Sequence, residues 1–170
     1  MFASIEEPPL PADALLQRFV DSGDHTDCFM TRIDRNVAFA DYVEAFYTTR
    51  VFRAERLILK LLVSRPSTDE EAKALADGDA ASFAAWKVLN RASGQLLLMD
   101  YRGNTCSWLM LVPDASGSRL YFGSAIVRNR KSAAGGRMGW AYRLLLGFHR
   151  LYSRVLLQSA REKLLRRGGR

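Results

Sequence analysis

The C-terminal stretch from Arg137 to Arg167 constrains the fold most, because it reads as one long helix. Gly135 and Gly136 precede it, and further glycines follow it directly. Its apolar residues recur at the three- and four-residue steps of one helical face: Met138, Ala141, Leu144, Leu145, Phe148, Leu151, Tyr152, Val155 and Leu156. We therefore expect the upstream chain to pack against this face.

The same end of the chain carries most of the positive charge. Residues 1–127 hold 13 lysines and arginines against 17 acids, whereas residues 128–170 hold 12 against one. Cations in the last turns of a helix complement its dipole, so we interpret them as a solvated basic face. Weak contact with an anionic membrane is the alternative. Nucleic acid is not an expected partner, since no binding motif or interleaved exposed aromatic residues accompany the arginines.

Upstream of the helix the sequence predicts an antiparallel meander. Four strands, at 83–91, 95–102, 105–112 and 119–128, are separated by short turns rich in glycine, asparagine and proline. Short connections make neighbouring strands antiparallel. An earlier strand at 26–33 is expected to join at the edge. The predicted fold class is thus α+β, a curved antiparallel sheet of about five strands gripping the long C-terminal helix.

Short helices are predicted between the first strand and the meander. Apolar residues at helical spacing define one segment from Val37 and another from Val51 to Val63, which are either two consecutive helices or one helix bent at Thr48-Thr49. A third opens after Pro66 with a capping box, formed by Ser67 with Glu70 or by Thr68 with Glu71, and Gly78 ends it. A fourth short helix is expected from Pro11 to Ser22-Gly23.

A chain of 170 residues is expected to form one domain with a substantial core. We divide it into an N-terminal arm with a short helix (1–25), the main domain (26–167) and a tail (168–170). The strands within 95–112 are apolar on both faces, which indicates that both sides of the sheet are covered. The long helix covers one side. The early helices, the N-terminal arm or a second copy of the chain must cover the other. A homodimer is predicted, with the N-terminal arm as its competitor.

The compartment predicted from the sequence is the cytoplasm. The first residues, MFASIEEPPL, carry acids and prolines where a signal peptide has positive charge and an apolar run. No segment reaches the roughly 18 apolar residues of a membrane span. The two cysteines, Cys28 and Cys106, do not suggest a disulfide framework.

The order of strand, helices, meander and closing helix resembles the START-like helix-grip superfamily, in a bacterial branch. Three stretches carry the resemblance: NTCSWLMLV from Asn104, RLYFGSAIV from Arg119 and LGFHRLYSR from Leu146. The superfamily includes lipid-transfer domains and polyketide cyclases. The resemblance implies a sheet curved around the last helix with an apolar cavity between them. It implies no catalytic residue.

Aromatic and methionine residues are the strongest indication of a ligand site. Pockets are lined by such groups with a few polar ones. The candidate pocket residues are Trp86, Met99, Tyr101, Trp108, Met110, Tyr121, Tyr142, Arg143 and His149. Gly123-Ser124-Ala125 leaves room opposite them. Plain core packing explains the same residues equally well.

Other reactive residues give no chemistry on their own. Residues 24–28 (DHTDC) collect four metal-capable side chains, but a zinc site needs converging ligands and no second cluster exists in the sequence. His149 borders the apolar face of the long helix and could serve as a general base only beside a cavity. Cys106 has no activating base among its neighbours. We therefore predict no metal, no cofactor and no catalytic residue.

These observations predict a non-catalytic binding module for an apolar or amphipathic small molecule or lipid, held between the sheet and the long helix. The first alternative is an enzyme of the cyclase or dehydratase kind, with Tyr, Arg or His149 handling protons. The second is a structural homo-oligomeric protein whose apolar sheet face is the contact surface.

Overall fold

A computed structural model describes residues 5–54, 67–127 and 140–168, with the backbone alone from 140 to 149. The helices are α1 (Gln17–Asp21), α2 (Phe39–Tyr47), α3 (50–54 within the described part), α4 (Asp69–Asp77) and α5 (Trp140–Arg167). The strands are β1 (His25–Ile33), β2 (Ser82–Phe83), β3 (Trp86–Ala92), β4 (Gln95–Asp100), β5 (Thr105–Asp114) and β6 (Gly117–Ile126). The predicted α+β class is confirmed.

The strands form one curved antiparallel sheet in the order β1-β6-β5-β4-β3-β2. The early strand lies at an edge beside β6, as predicted, and the meander runs from there across the sheet. The sheet has six strands because the predicted strand 83–91 is divided in two. Ala84 adopts a left-handed backbone with φ of 51°, and Phe83 pairs with Trp86 across this tight turn. The sequence prediction missed this because alanine rarely marks such a turn.

Local signals fix the ends of the helices. Thr68 accepts a hydrogen bond from the Glu71 amide, and the Glu71 carboxylate accepts one from the Thr68 amide. This capping box starts α4, and Gly78, with φ of 94°, ends it. In contrast, α1 is shorter than predicted, since residues 11–16 form turns before it. The break at Thr48-Thr49 is confirmed, whereas most of the predicted helix 51–63 lies outside the described residues.

The sheet separates two apolar cores, because alternate residues of each strand point to opposite faces. The helix-side core lies between the sheet and α2, α4 and α5 and includes Phe29, Phe46, Leu98, Leu109 and Phe122. The arm-side core lies on the other face, beneath residues 5–24 of the N-terminal arm. It includes Leu16, Leu97, Trp108, Met110 and Tyr121. Both faces of the central strands are therefore covered within one chain.

The second half of α5 packs against the helix-side core through a face that overlaps the predicted one only in part. Leu156 and Tyr152 contact this core, as predicted. The buried residues are Leu156, Leu157, Ala160 and Leu164. Leu151 is 61% exposed and Val155 is 40% exposed, so the prediction that these two are buried is wrong. The face that packs is set by the position of α2, on which α5 also rests. Within the described helices, none is long and apolar enough to cross a bilayer.

The N-terminal arm is held on the sheet by specific hydrogen bonds. Glu6 exchanges two backbone hydrogen bonds with Met30 at the free edge of β1. The side chain of Gln95 is 5% exposed and accepts hydrogen bonds from the Leu15 amide and the Trp108 indole, each at 2.9 Å. The arm thus covers the surface from which a homodimer was argued. The homodimer remains a prediction, but the surface from which it was argued is already covered by the chain itself.

Candidate anion-binding cleft

A polar cleft of about 280 Å³ lies at the junction of α2 and α3, beside α5. Its walls combine hydroxyl groups, four cationic side chains and one carboxylate. They are Thr48, Thr49, Arg50, Arg53, Ser159, Glu162, Lys163 and Arg166. Since cationic groups outnumber carboxylates in this lining, the cleft suits an anion.

Two threonines build the wall at the end of α2. The Thr48 hydroxyl donates to the Glu44 carbonyl at 2.5 Å, and the Thr49 hydroxyl donates to the Phe46 carbonyl at 3.1 Å. The Thr49 hydroxyl also accepts from the amide of Phe52 at 3.1 Å. Hydroxyls that bond to nearby backbone offer the chain an alternative to a continuous helix. The break between α2 and α3 therefore follows from this pair.

The opposite wall comes from α5, where Ser159, Glu162, Lys163 and Arg166 recur at the spacing of one helical face. The ammonium group of Lys163 crosses to α2 and donates to the Thr48 carbonyl at 2.9 Å and to the Thr48 hydroxyl. An ammonium group has three N–H donors. These two bonds tie the walls together and leave one donor of Lys163 for a ligand.

Two of the cations already have carboxylate partners. Arg53 pairs with Asp69, and Arg166 pairs with Glu162 at 3.5 Å. Beyond the cleft, Arg167 pairs with Glu44 at 2.5 Å. Among the residues that the structure describes, Arg50 and Lys163 have no carboxylate within ion-pair distance. The cleft therefore keeps two cations without a paired carboxylate in the described part of the chain, the half-buried Lys163 and the exposed Arg50.

The electrostatic environment of Lys163 agrees with this excess. Partial burial lowers the pKa of Lys163 below its ordinary value, and the nearby positive charges of Arg167 and Arg53 lower it further, while the charges of Asp69 and Glu44 act in the opposite direction. A bound anion would offset both effects, because it would favour the protonated form. The cleft thus contains a cation that an anionic ligand would stabilise.

Residues 24–28 collect the metal-capable side chains that the sequence singled out. No group of three or more metal-capable side chains converges anywhere in the described ranges. At residues 24–28, Cys28 is buried in the arm-side core, while Asp27 accepts hydrogen bonds from the amide and hydroxyl of Ser124 at 2.7 and 2.8 Å. Burial and the Asp27 charge raise the Cys28 pKa to about 12. These side chains serve the packing of β1 on β6.

Four of the predicted pocket residues do come together, but on the face of the sheet away from α5. Met99, Trp108, Met110 and Tyr121 all belong to the arm-side core. The rings of Trp108 and Tyr121 are 6.3 Å apart. The prediction that these residues lie between the sheet and the long helix is therefore wrong. Because side chains alternate along each strand, these residues share one face of the sheet, and that face packs against the N-terminal arm.

The space that was expected at Gly123, opposite the pocket residues, is filled by side chains of Trp108 and Leu16. A Cβ atom added at Gly123 would lie 2.9 Å from the Trp108 ring and 3.0 Å from a methyl group of Leu16. The glycine lets both side chains lie flat against β6. The aromatic set is consequently a packed core at this position rather than an open cavity.

The remaining predicted pocket residues are dispersed. Trp86 lies half-buried against the helix-side core, and its indole nitrogen has no hydrogen-bond partner in the described part of the chain. Tyr101 is 36% exposed at the turn after β4, where the Arg102 guanidinium lies over its ring. The side chains of Tyr142, Arg143 and His149 lie outside the described residues. Cys106 is buried, and burial raises its pKa to about 12.

The cleft was not predicted as a site from the sequence. The cations of the last helix, which include Lys163 and Arg166, were interpreted as a solvated basic face, and Thr48-Thr49 as the point where a helix ends or bends. Nothing in the sequence joined them, since more than 100 residues separate the two walls. The charge excess at the C-terminal end and the arginines at 50 and 53 were the available signals.

Comparisons with known proteins add little to this geometry. No family model matches the chain, and no curated protein matches it. A crystal structure of a structural-genomics protein from Rhodobacter sphaeroides is similar at 13% identity, over 89% of this chain and 97% of that chain, with a TM-score of 0.35. A likeness at that score carries no argument about fold or function.

Proposed function

We propose that this protein is a non-catalytic binding module for a small amphipathic molecule, whose anionic group occupies the cleft between α2, α3 and α5. The observation that carries the proposal is the cleft's lining, in which Arg50 and Lys163 have no carboxylate partner among the described residues. The START-like resemblance, which implies binding of small apolar or amphipathic molecules, accords with it.

The lining favours binding over catalysis. General acid–base catalysis needs a titratable group within reach of the substrate and free to exchange a proton. The carboxylate of the cleft, Glu162, pairs with Arg166 and accepts a hydrogen bond from Gln158 at 3.0 Å. The Lys163 ammonium is engaged with Thr48. The cyclase- or dehydratase-like enzyme and the structural homo-oligomer remain the alternatives.

Contacts of the other basic residues on α5 favour a structural role for them. Arg150 and Arg154 pair with Glu7 of the N-terminal arm, and Arg161 donates to the Arg32 carbonyl at 2.7 Å. These bonds hold α5 against the arm and the sheet. A membrane contact would have to compete with them, so we assign the cleft, rather than the whole basic face, to ligand binding.

The test combines native mass spectrometry with thermal unfolding. Protein purified from cells should carry a copurified small molecule, or should be stabilised by decanoate or decyl phosphate and not by decanol. A ligand at 100 times its Kd stabilises the native state by about 2.7 kcal/mol, which raises Tm by roughly 5–10 °C for a chain of this size. A homogeneous apo mass together with no shift by either anion would refute the proposal.

A further inference from the structure

The charge balance of the cleft restricts the anionic group that it can take. After the pairs Arg53–Asp69 and Arg166–Glu162 are set aside, two cations remain without a carboxylate partner in the described part of the chain, Arg50 and Lys163. A monoanion such as a carboxylate would leave one of these charges uncompensated. A group with two negative charges would balance both.

The remaining donors also suit an anion with several oxygen atoms. Both threonine hydroxyls already donate to backbone carbonyls, so they shape the wall rather than serve the ligand. The donors left include the third N–H of Lys163 and the guanidinium of Arg50, which projects N–H groups in a planar fork. Arg53 and Arg166 also keep N–H groups that their single carboxylate contacts do not use. Phosphate oxygens accept such forked and point-charge donors together.

We infer that the cleft binds a phosphate monoester in its dianionic form, with Arg50 and Lys163 as the two recognising side chains. The inference rests on the proposed binding function and specifies its ligand class. The lowered pKa of Lys163 is consistent with this inference. Burial and neighbouring cations destabilise its protonated form, and a dianion would stabilise that form more than a monoanion would.

The first experiment compares phenyl phosphate with benzoate by isothermal titration calorimetry at pH 8 and low salt. A phosphate monoester has its second pKa near 6, so it is a dianion at pH 8 and largely a monoanion at pH 5. We expect phenyl phosphate to bind at least about tenfold more tightly than benzoate, and its affinity to fall by about tenfold at pH 5.

Three variants assign the binding to the cleft. Arg50→Gln and Lys163→Gln should each weaken phenyl phosphate binding by about tenfold or more. Lys87→Gln removes the same charge from an exposed position on β3 and should leave the affinity unchanged. Lys163 also anchors α5 to Thr48. If Lys163→Gln unfolds, Arg50→Gln decides, since no hydrogen bond or ion pair of the exposed Arg50 holds the described residues together.

Vesicle cosedimentation distinguishes the two sources of a phosphate monoester. Pelleting with phosphatidylcholine vesicles that contain phosphatidic acid, lost in Arg50→Gln, would assign a lipid headgroup. Calorimetric binding without pelleting would assign a soluble phosphate ester. Equal affinity for benzoate and phenyl phosphate would overturn the inference and leave the proposed function standing. Binding of neither, with decanoate and decyl phosphate also inactive, would overturn both.

Discussion

Replacement of Gln95 by leucine tests how the N-terminal arm is held on the sheet. Gln95 is 5% exposed, and its amide joins three groups from distant parts of the chain. Its oxygen accepts from the Leu15 amide and the Trp108 indole at 2.9 Å, and its nitrogen donates to the Asp13 carbonyl at 3.0 Å. Leucine has a similar size but can make none of these bonds.

The expected loss follows from the groups left behind. A buried donor without a partner costs about 1–3 kcal/mol, and the Trp108 indole is fully buried. The Leu15 amide and Asp13 carbonyl make part-buried bonds, so water can replace Gln95 there more cheaply. We expect Gln95→Leu to lower the free energy of unfolding by about 2–4 kcal/mol, a large share of the 5–15 kcal/mol typical of a domain.

Urea denaturation followed by circular dichroism measures this loss, and hydrogen exchange of residues 10–16 reports whether the arm is released. Gln17→Leu is the matched control, because within the described residues the Gln17 side chain makes only an exposed 3.5 Å bond to Asp21. It should change stability by less than about 0.5 kcal/mol. Adding Trp108→Phe removes the stranded indole N–H, so the double variant should lose less than the sum of the singles. A cost below about 0.5 kcal/mol for Gln95→Leu, with unchanged exchange, would refute this account of the arm.

Three further outcomes follow from single contacts. Gly123→Ala should destabilise the protein by about 1–3 kcal/mol in thermal unfolding, since its Cβ would lie 2.7 Å from the Asp27 carbonyl oxygen; an unchanged Tm would contradict the packing described. Thr68→Ala should lower the free energy of unfolding by about 1 kcal/mol through loss of the capping box; an unchanged value would contradict the role of this cap. Cys28 and Cys106, whose pKa burial raises to about 12 from 9.0, should resist a thiol reagent in the native state. Because the unfolded thiols release protons near pH 9 while the folded ones keep them, stability should fall as pH rises above 9; a flat profile from pH 8 to 11 would argue against their burial.

The sequence holds only part of the information that places the predicted pocket residues on a face of the sheet. The alternation along β5 separates Trp108 and Met110 from Leu109 and Leu111, so the sequence indicated that these pairs lie on opposite faces. It could not say which face meets α5. The prediction placed Trp108 and Met110 on the face that meets the long helix, whereas the face on which they lie is covered by the N-terminal arm.

What the sequence determined by itself is the set of local elements. The capping box at Thr68, the glycine at 78, the turns between the last four strands and the helical period of α5 each depend on residues within a few positions, so short-range chemistry suffices. The antiparallel order of the meander follows from the same short connections.

The tertiary structure alone decided which surfaces meet. Leu151 and Val155 fit the helical period as well as Leu156 does, yet the packing of α5 on α2, β1 and β6 buries Leu156 and leaves the other two exposed. The cleft likewise arises because Lys163 reaches Thr48, 115 positions away in the chain. Contacts of that range depend on how whole elements pack, and periodicity carries no information about the partner that a face will find.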